Sequence, residues 1–583
     1  ENYSFEITFI IKKYCLSLLL NSKSLSKTYV PIILILMGIL IVIPIGSLIY
    51  GSFWSSRPGA PGQFTTDNYI ETFTNVRSIS LLTTSLFYAF GAALLATSVA
   101  TVIAFITART DTPLAGIFTY IPFASLAIPG IVNSISWIYL LRPNTGLINL
   151  FFMDTLGFQS PLFDIHTIWG MIWVMGLSLT PLAYVGVRAA IVSLDPALEE
   201  AGRIAGRGIR PVLIRITLPL ILPAMLSVFL LAFIISFESF DIPAVIGIPG
   251  NIDVYMSVIA TSVIYDVPPD HGLATSQSVV MLIVTMLLVV LYRKATRRAE
   301  KFAVISGRGY APGIMKIGKW RWLGLAFLLT YLFIDIILPI STLLISSLLS
   351  YWHPRTLFED MSFQNYLNLL RYPGLVRSLF NSIFVSSIAA FVALFMGILI
   401  AFYSLKSRIR GRGILEGIGM LPISFPGLVL GVGFLWAFIS FPFGIYGTIW
   451  VILLAYIIKY IPHGIRFVSE PLLQVHRDLE DASRISGAST LYTLRKITIS
   501  LLKPALIGGW VYIAMITFRE LGAAVLLVSP GNEVISERIY AMWRGGHFET
   551  AVAASMILVA AIWIIIVIAR IWSKKKLSFK PTP

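Results

Sequence analysis

An all-α membrane protein of about 12 transmembrane helices, laid out as two parallel six-helix repeats, is the fold class this sequence predicts. Three observations carry that expectation: a charge-poor composition, apolar runs long enough to cross a bilayer, and a register that recurs within the chain. Of 583 residues, 57% are hydrophobic and 12% are charged, whereas soluble domains carry about 25% charged residues. No water-soluble core hides that much apolar surface. A bilayer core about 30 Å thick takes about 20 apolar residues per helix, and such stretches recur between Pro31 and Trp572. Each segment must satisfy its own backbone in lipid, so helices are expected, and the short alternating strands of a barrel are not seen.

Taken in order, the expected helices run over 29–53, 79–107, 114–140, 166–187, 220–243 and 271–292, then 322–350, 377–405, 413–440, 446–466, 501–527 and 547–572. They divide the chain into a lead-in (1–28), a first half (29–292), a linker (293–321), a second half (322–572) and a tail (573–583). The lead-in has no small-residue cleavage site after its apolar run and is expected to be cytoplasmic. The linker is basic and carries Gly307, Gly309, Pro312 and Gly313. The single cysteine, Cys15, can form no internal disulfide, and no Cys/His cluster has zinc-ligand spacing, so no metal site is expected.

The net charge of +16 reads as topology, not as a nucleic-acid surface, because of where it sits. With the N-terminus inside, 34 of the 44 Lys and Arg residues fall on inner segments and nine on outer ones, while Lys459 lies in a span. The positive-inside rule then puts both termini in the cytoplasm of a multi-pass cell-membrane protein.

The repeat is read from a constant offset. A shift of 281 carries Trp169 to Trp450, Pro181 to Pro462, Gly206 to Gly487, Pro223 to Pro504 and Phe237 to Phe518. Earlier in each half the shift is 297, carrying Asn68-Tyr69 to Asn365-Tyr366 and Pro129-Gly130 to Pro426-Gly427. The difference falls in the outer loop after the third helix, long in the first half (142–165) and short in the second. Six helices return the chain to its starting side, so the halves are parallel.

Between the fourth and fifth helix of each half lies a polar segment too long for a turn. The first runs Asp195-Pro196-Ala197-Leu198-Glu199-Glu200-Ala201-Gly202-Arg203-Ile204-Ala205-Gly206, then nine residues, then Ile216-Thr217-Leu218-Pro219. Asp195 suits an N-cap, Pro196 the first helical position, and the glutamates the positive helix end. Leu198, Ala201, Gly202 and Ala205 recur at helical spacing as a face of mostly small residues, suited to a groove on another protein. Gly206 can end the helix. The second segment carries Asp481-Ala482-Ser483, Gly487 and, nine residues later, Ile497-Thr498-Ile499-Ser500.

This spacing resembles the coupling motif of ABC importer permeases, Glu-Ala-Ala-x3-Gly-x9-Ile-x-Leu-Pro. Gly202 departs from it in the first half; Asp481, Ser483 and Ile499-Ser500 depart in the second. The stretches from Phe237 to Gly247, from Phe518 to Val534 and from Tyr265 to Ala274 also resemble the fused permeases of the ferric-iron uptake type. The resemblance covers nearly the whole chain and implies the type I ABC importer permease fold. It implies two copies of an ATPase subunit docked at Glu200, Ala201, Gly202 and Gly206 and at Asp481, Ala482, Ser483 and Gly487. It also implies a periplasmic or extracellular solute-binding protein that delivers cargo. ATP and Mg would sit on the partner, with no cofactor held by this chain. Ferric iron is the cargo the resemblance favours, with thiamine, phosphonates or other small solutes, which related fused permeases carry, as the alternatives.

Charges inside spans are costly and usually face a protein interior or a water-filled path. Glu238 and Arg519 are equivalent under the shift of 281 and are expected to pair across the pseudo-two-fold axis, with Asp241 and Glu520 making the site net acidic. A structural tie, a gate and a direct cargo contact are the three roles such a pair can play.

Rival classes are weighed on residues too. A major-facilitator-type secondary transporter also has two parallel six-helix halves but needs no long coupling segment. The chain is not expected to be an enzyme. Its Gly313-Ile314-Met315-Lys316-Ile317-Gly318-Lys319 has P-loop spacing, but Trp320 stands at the Ser/Thr position and no strand precedes it. His166, His271, His353 and His547 fall near outer helix ends and read as interface residues; Asp253, Asp266 and Asp270 suit a cation, a basic docking partner or a solvated face.

Overall fold

The computed structural model describes residues 24–264, 266–302, 313–355, 360–406, 412–440 and 444–577. Cys15, most of the lead-in, the centre of the linker and the last six residues lie outside them. The described residues form no β-strand, only three isolated bridges.

The first half is built from α1 (Ser24–Ser52), α2 (Val76–Arg109), α3 (Gly130–Leu141), α4 (Ile168–Ser193), α5 (Pro196–Ile204), α6 (Ile209–Phe237), α7 (Tyr255–Ile264) and α8 (His271–Phe302). The second repeats it as α9 (Trp320–Leu348), α10 (Leu375–Lys406), α11 (Gly427–Ser440), α12 (Ile449–Gln474), α13 (Arg477–Ile485), α14 (Leu494–Phe518), α15 (Ile535–Arg544) and α16 (Phe548–Leu577). Among the described residues nine helices are long and apolar enough to cross a membrane. With α1 and the bent third spans, each half has six crossings.

The third and ninth expected helices are not continuous. Ala115–Ser125 meets α3 at 102°, and Gly413–Ser424 meets the helix beginning at Gly427 at 105°. The cause is chemical: Pro129 is extended (φ −63°, ψ 149°) and cannot donate a helical hydrogen bond, so the chain turns and restarts at Gly130. The fifth and eleventh spans start earlier than expected and end at Phe237 and Phe518, with a π turn at 213–217 and 494–498 absorbing the join to the preceding segment.

The outer segment 244–270 was expected to be a loop and instead holds most of a second bent pair, Pro243–Gly250 with α7, at 83°. It must turn back rather than cross. α7 is tied to the start of α2, Ser85 Oγ accepting from Tyr255 N at 2.9 Å. α8 begins at the same end, where Thr72 and Ser276 share a 2.7 Å hydrogen bond. Likewise, α8 runs on as helix to Phe302, well into the expected linker.

The halves interlock. α1 packs on α8 of its own half and on α11 of the other; α9 reciprocates on α16 and α3. Trp436 of α11 is buried, its Nε1 donating to Thr275 Oγ1 of α8 at 2.9 Å, and leaves no room for a Cβ on Gly51 of α1. Within each half the broadest contact joins α2 to α4 and α10 to α12. Small residues make it close: Ala89, Ala92, Ala93, Ala96 and Ala100 are fully buried on α2, as are Ala389, Ala390 and Ala393 on α10.

The repeat register holds at the level of single bonds. Asn68 Nδ2 donates to the Ser52 and Trp54 carbonyls at 3.0 and 3.1 Å, and Asn365 Nδ2 to those of Ser347 and Leu349 at 3.0 and 2.6 Å. Ser382 Oγ accepts from Ile535 N at 2.8 Å, as Ser85 does from Tyr255.

Candidate functional site

α5 and α13 lie at the same end of the bundle, each following a crossing helix after a short turn. Asp195 caps α5 by accepting from Ala197 N at 2.9 Å, with Pro196 behind it. Gly206 and Gly487 end the two helices at φ +78° and +83°, a conformation that costs other residues about 1–2 kcal/mol. Arg207 N reaches back to Gly202 O and Gly206 N to Arg203 O, which satisfies the last carbonyls.

The outward face differs from the expected one. Glu200, Ala201 and Ala205 are exposed, as is Leu198, but Gly202 turns inward, where a Cβ would meet Ile216 Cδ1 at 2.7 Å. Its counterpart Ser483 also points in, sharing a 2.9 Å hydrogen bond with Thr493. The small residue serves the protein's own helix contact, not a partner's groove. Asp481 and Ala482 are exposed. The most exposed large apolar side chain on each helix is Ile204 in one half and Ile485 in the other, each 87% exposed.

Each helix is tied down by a buried glutamate that sequence reasoning did not single out. Glu199 accepts from Thr217 Oγ1 of α6 at 2.8 Å and lies 3.7 Å from Arg109 Nε. Arg109 is wholly buried at the end of α2 and donates to the Ile191 and Leu194 carbonyls at the end of α4, both at 2.8 Å. In the second half Glu480 accepts from Thr498 at 3.0 Å and pairs with Lys406 Nζ at 3.4 Å, while Lys406 donates to Val475 O at 3.0 Å. One carboxylate thus joins the short helix to three crossing helices. The signal was present: residues 109 and 406, and 199 and 480, keep their charge signs under the two repeat shifts.

Between the halves lies a cavity of about 600 Å³. Glu238, Asp241, Arg519 and Glu520 all line it, together with Lys459, Tyr460, His463 and Arg466 of α12. The expected Glu238–Arg519 pair does not form. Arg519 Nη1 donates instead to Leu126 O at 2.8 Å and Ile128 O at 3.5 Å, in the break before α3, and Glu520 takes Lys459 at 2.6 Å and the Tyr460 hydroxyl at 2.6 Å. Equivalence under the repeat fixed position, not side-chain direction. The two Pro-Gly breaks bring backbone against the acidic groups: a Cβ on Gly130 would collide with Asp241 Oδ2, and one on Gly427 would lie 2.6 Å from Glu520 Oε1. Toward the α5 and α13 end the lining includes Arg293, Arg466 and Glu470.

The family model for the binding-protein-dependent transport system inner membrane component matches residues 100–301 and again 393–575, once in each half. The chain belongs to this family. It carries the family domain twice. Among its relatives, the ferric transport system permease protein FbpB of Actinobacillus pleuropneumoniae is 25% identical over 67% of this chain and 56% of its own length. The chain thus spans little more than half of that relative. The putative ferric transport system permease protein FbpB 1 of Haemophilus influenzae is 25% identical over 87% of this chain and 78% of its own. A putative 2-aminoethylphosphonate transport system permease protein PhnV of Salmonella paratyphi A is 27% identical over 38% of this chain and 83% of its own.

The other candidate residues lie apart from this cavity. His166 Nδ1 lies 3.1 Å from Ile246 O, His353 meets the Tyr351 ring edge-on and His547 that of Tyr372, while His271 opens α8. No group of three or more His, Cys, Asp or Glu side chains is placed to share a metal ion among the described residues. The P-loop-like stretch clips onto the end of α2: Met315 N donates to Arg109 O at 2.8 Å and Ile317 N to Asp111 Oδ1 at 2.9 Å. Asp253 forms an exposed pair with Arg77 at 2.5 Å.

Proposed function

We propose that this permease supplies both halves of the channel of an ATP-driven ABC importer, and that α5 and α13 each receive one copy of an ATPase subunit. The observation that carries this is the pair of pseudo-equivalent helices at one end of the bundle, each presenting an isoleucine that is 87% exposed and each bonded through a buried glutamate to the crossing helices. An apolar knob on a rigidly anchored helix suits a partner's groove, and its displacement would reach α2, α4 and α6, or α10, α12 and α14, at once. ATP and Mg belong to the partner in this reading, and the ends carrying α5 and α13, with both termini, face the cytoplasm.

Cargo arrives from an external solute-binding protein and crosses by the central cavity. Ferric iron is the preferred cargo, because the relatives that match most of this chain are ferric permeases by name. A phosphonate is the second reading, favoured by the phosphonate permease that matches one half over most of its own length. The test is reconstitution of the full chain with its ATPase and binding protein, comparing uptake of ferric iron, thiamine and phosphonates. ATP-dependent uptake of iron alone is expected. Uptake without ATPase or binding protein would overturn the reading.

A further inference from the structure

The cavity walls carry acidic and basic side chains that form no direct pair with one another at Glu238, Asp241 and Arg519. Glu238 and Arg519 are equivalent in the two halves and both line the cavity, yet each lacks an ion-pair partner among the described residues. Glu238 Oε1 is buried without a hydrogen-bond partner. Asp241 beside it takes the Ser239 hydroxyl at 2.9 Å, and Arg519 only backbone carbonyls. Lys459 and Glu520 neutralise each other. Further along α12, His463 Nδ1 is buried and unpartnered and Arg466 is exposed, with Glu470 one turn beyond. The first half presents Ser178, Leu179 and Leu182 at the positions of Lys459, Tyr460 and His463.

Separated charges of opposite sign across a membrane cavity are costly alone and are satisfied together by a solute that carries both signs. We propose that the cavity is a binding site for a dipolar small solute, its cationic centre toward Glu238 and Asp241 and its anionic oxygen group toward Arg519, His463 and Arg466. This rests on the reading of the cavity as the cargo path. A bare cation leaves Arg519 unsatisfied, and a simple anion leaves Glu238 so. Two sources share the required chemistry: a metal ion still carrying its anionic ligand, and an organic zwitterion.

The test is equilibrium binding to the purified full chain in lipid nanodiscs, with ferric citrate and 2-aminoethylphosphonate as dipolar probes and ethylphosphonate and ethylamine as single-charge controls. One dipolar probe should bind at least about tenfold tighter than either control, and which one it is identifies the source. Glu238→Gln and Arg519→Gln should each weaken it by about tenfold or more, and Arg519→Lys should recover part of the loss. If Glu238→Gln does not fold, Asp241→Asn takes its place. Equal binding of the controls, no binding of either dipolar probe, or folded variants that bind like the parent would overturn the site. Because this needs no ATPase, it fails separately from the channel reading: stimulated ATP hydrolysis with an unselective cavity would sink only the dipolar site.

Discussion

At the α5 and α13 end, Arg109, Glu199 and Thr217 in the first half do what Lys406, Glu480 and Thr498 do in the second. In the cavity, by contrast, the first half has Ser178, Leu182 and Glu238 where the second has Lys459, His463 and Arg519. Under the proposed assembly, two copies of one partner would demand like sockets at the ends, whereas one fused chain lets the middle diverge. A pair of identical subunits would set like charges across the axis.

The comparison breaks most sharply at the buried glutamates. Glu199→Ala strands Arg109 with no exposure to water and should cost about 3–5 kcal/mol. Glu480→Ala should cost about 1–3 kcal/mol, because the Lys406 stem can carry its amine toward solvent. Thermal unfolding of the two variants in detergent checks the order, and equal losses would show that the anchors do not differ. Next come Gly206→Ala and Gly487→Ala. Nothing lies within 4 Å of a Cβ at either position, so each change should cost only the backbone term, about 1–2 kcal/mol and alike in both halves. A much larger loss at one site would reveal a contact specific to that half. Smallest is Arg355→Ala, which removes the exposed cross-half pair to Asp154 at 3.0 Å and should change stability by about 0–1 kcal/mol, less in high salt.

Much of this was legible in the sequence. The shift of 297 relates Asn68 to Asn365, which make the same bonds, and the hydrophobic runs locate the crossings. The breaks at Pro129 and Pro426 were visible as a repeated Pro-Gly, but hydropathy runs through them and does not see a bend. α7 was hidden because ten residues are too few to cross, and only chain parity requires a return. Glu199 and Glu200 are neighbours on one helix, and periodicity alone does not say which points inward. The Glu238–Arg519 pairing failed for a related reason: the Leu126 and Ile128 carbonyls are freed by a helix break that the sequence pattern did not register, and they take the arginine first.

The most direct test of the coupling role replaces both exposed isoleucines. Ile204→Asp with Ile485→Asp touches no buried contact and should leave membrane insertion and thermal stability within about 0.5 kcal/mol of the parent. In vesicles holding the full chain, its ATPase and its binding protein, the parent should show binding-protein-stimulated ATP hydrolysis and the double variant should not. Undiminished stimulation in the double variant would contradict docking at α5 and α13.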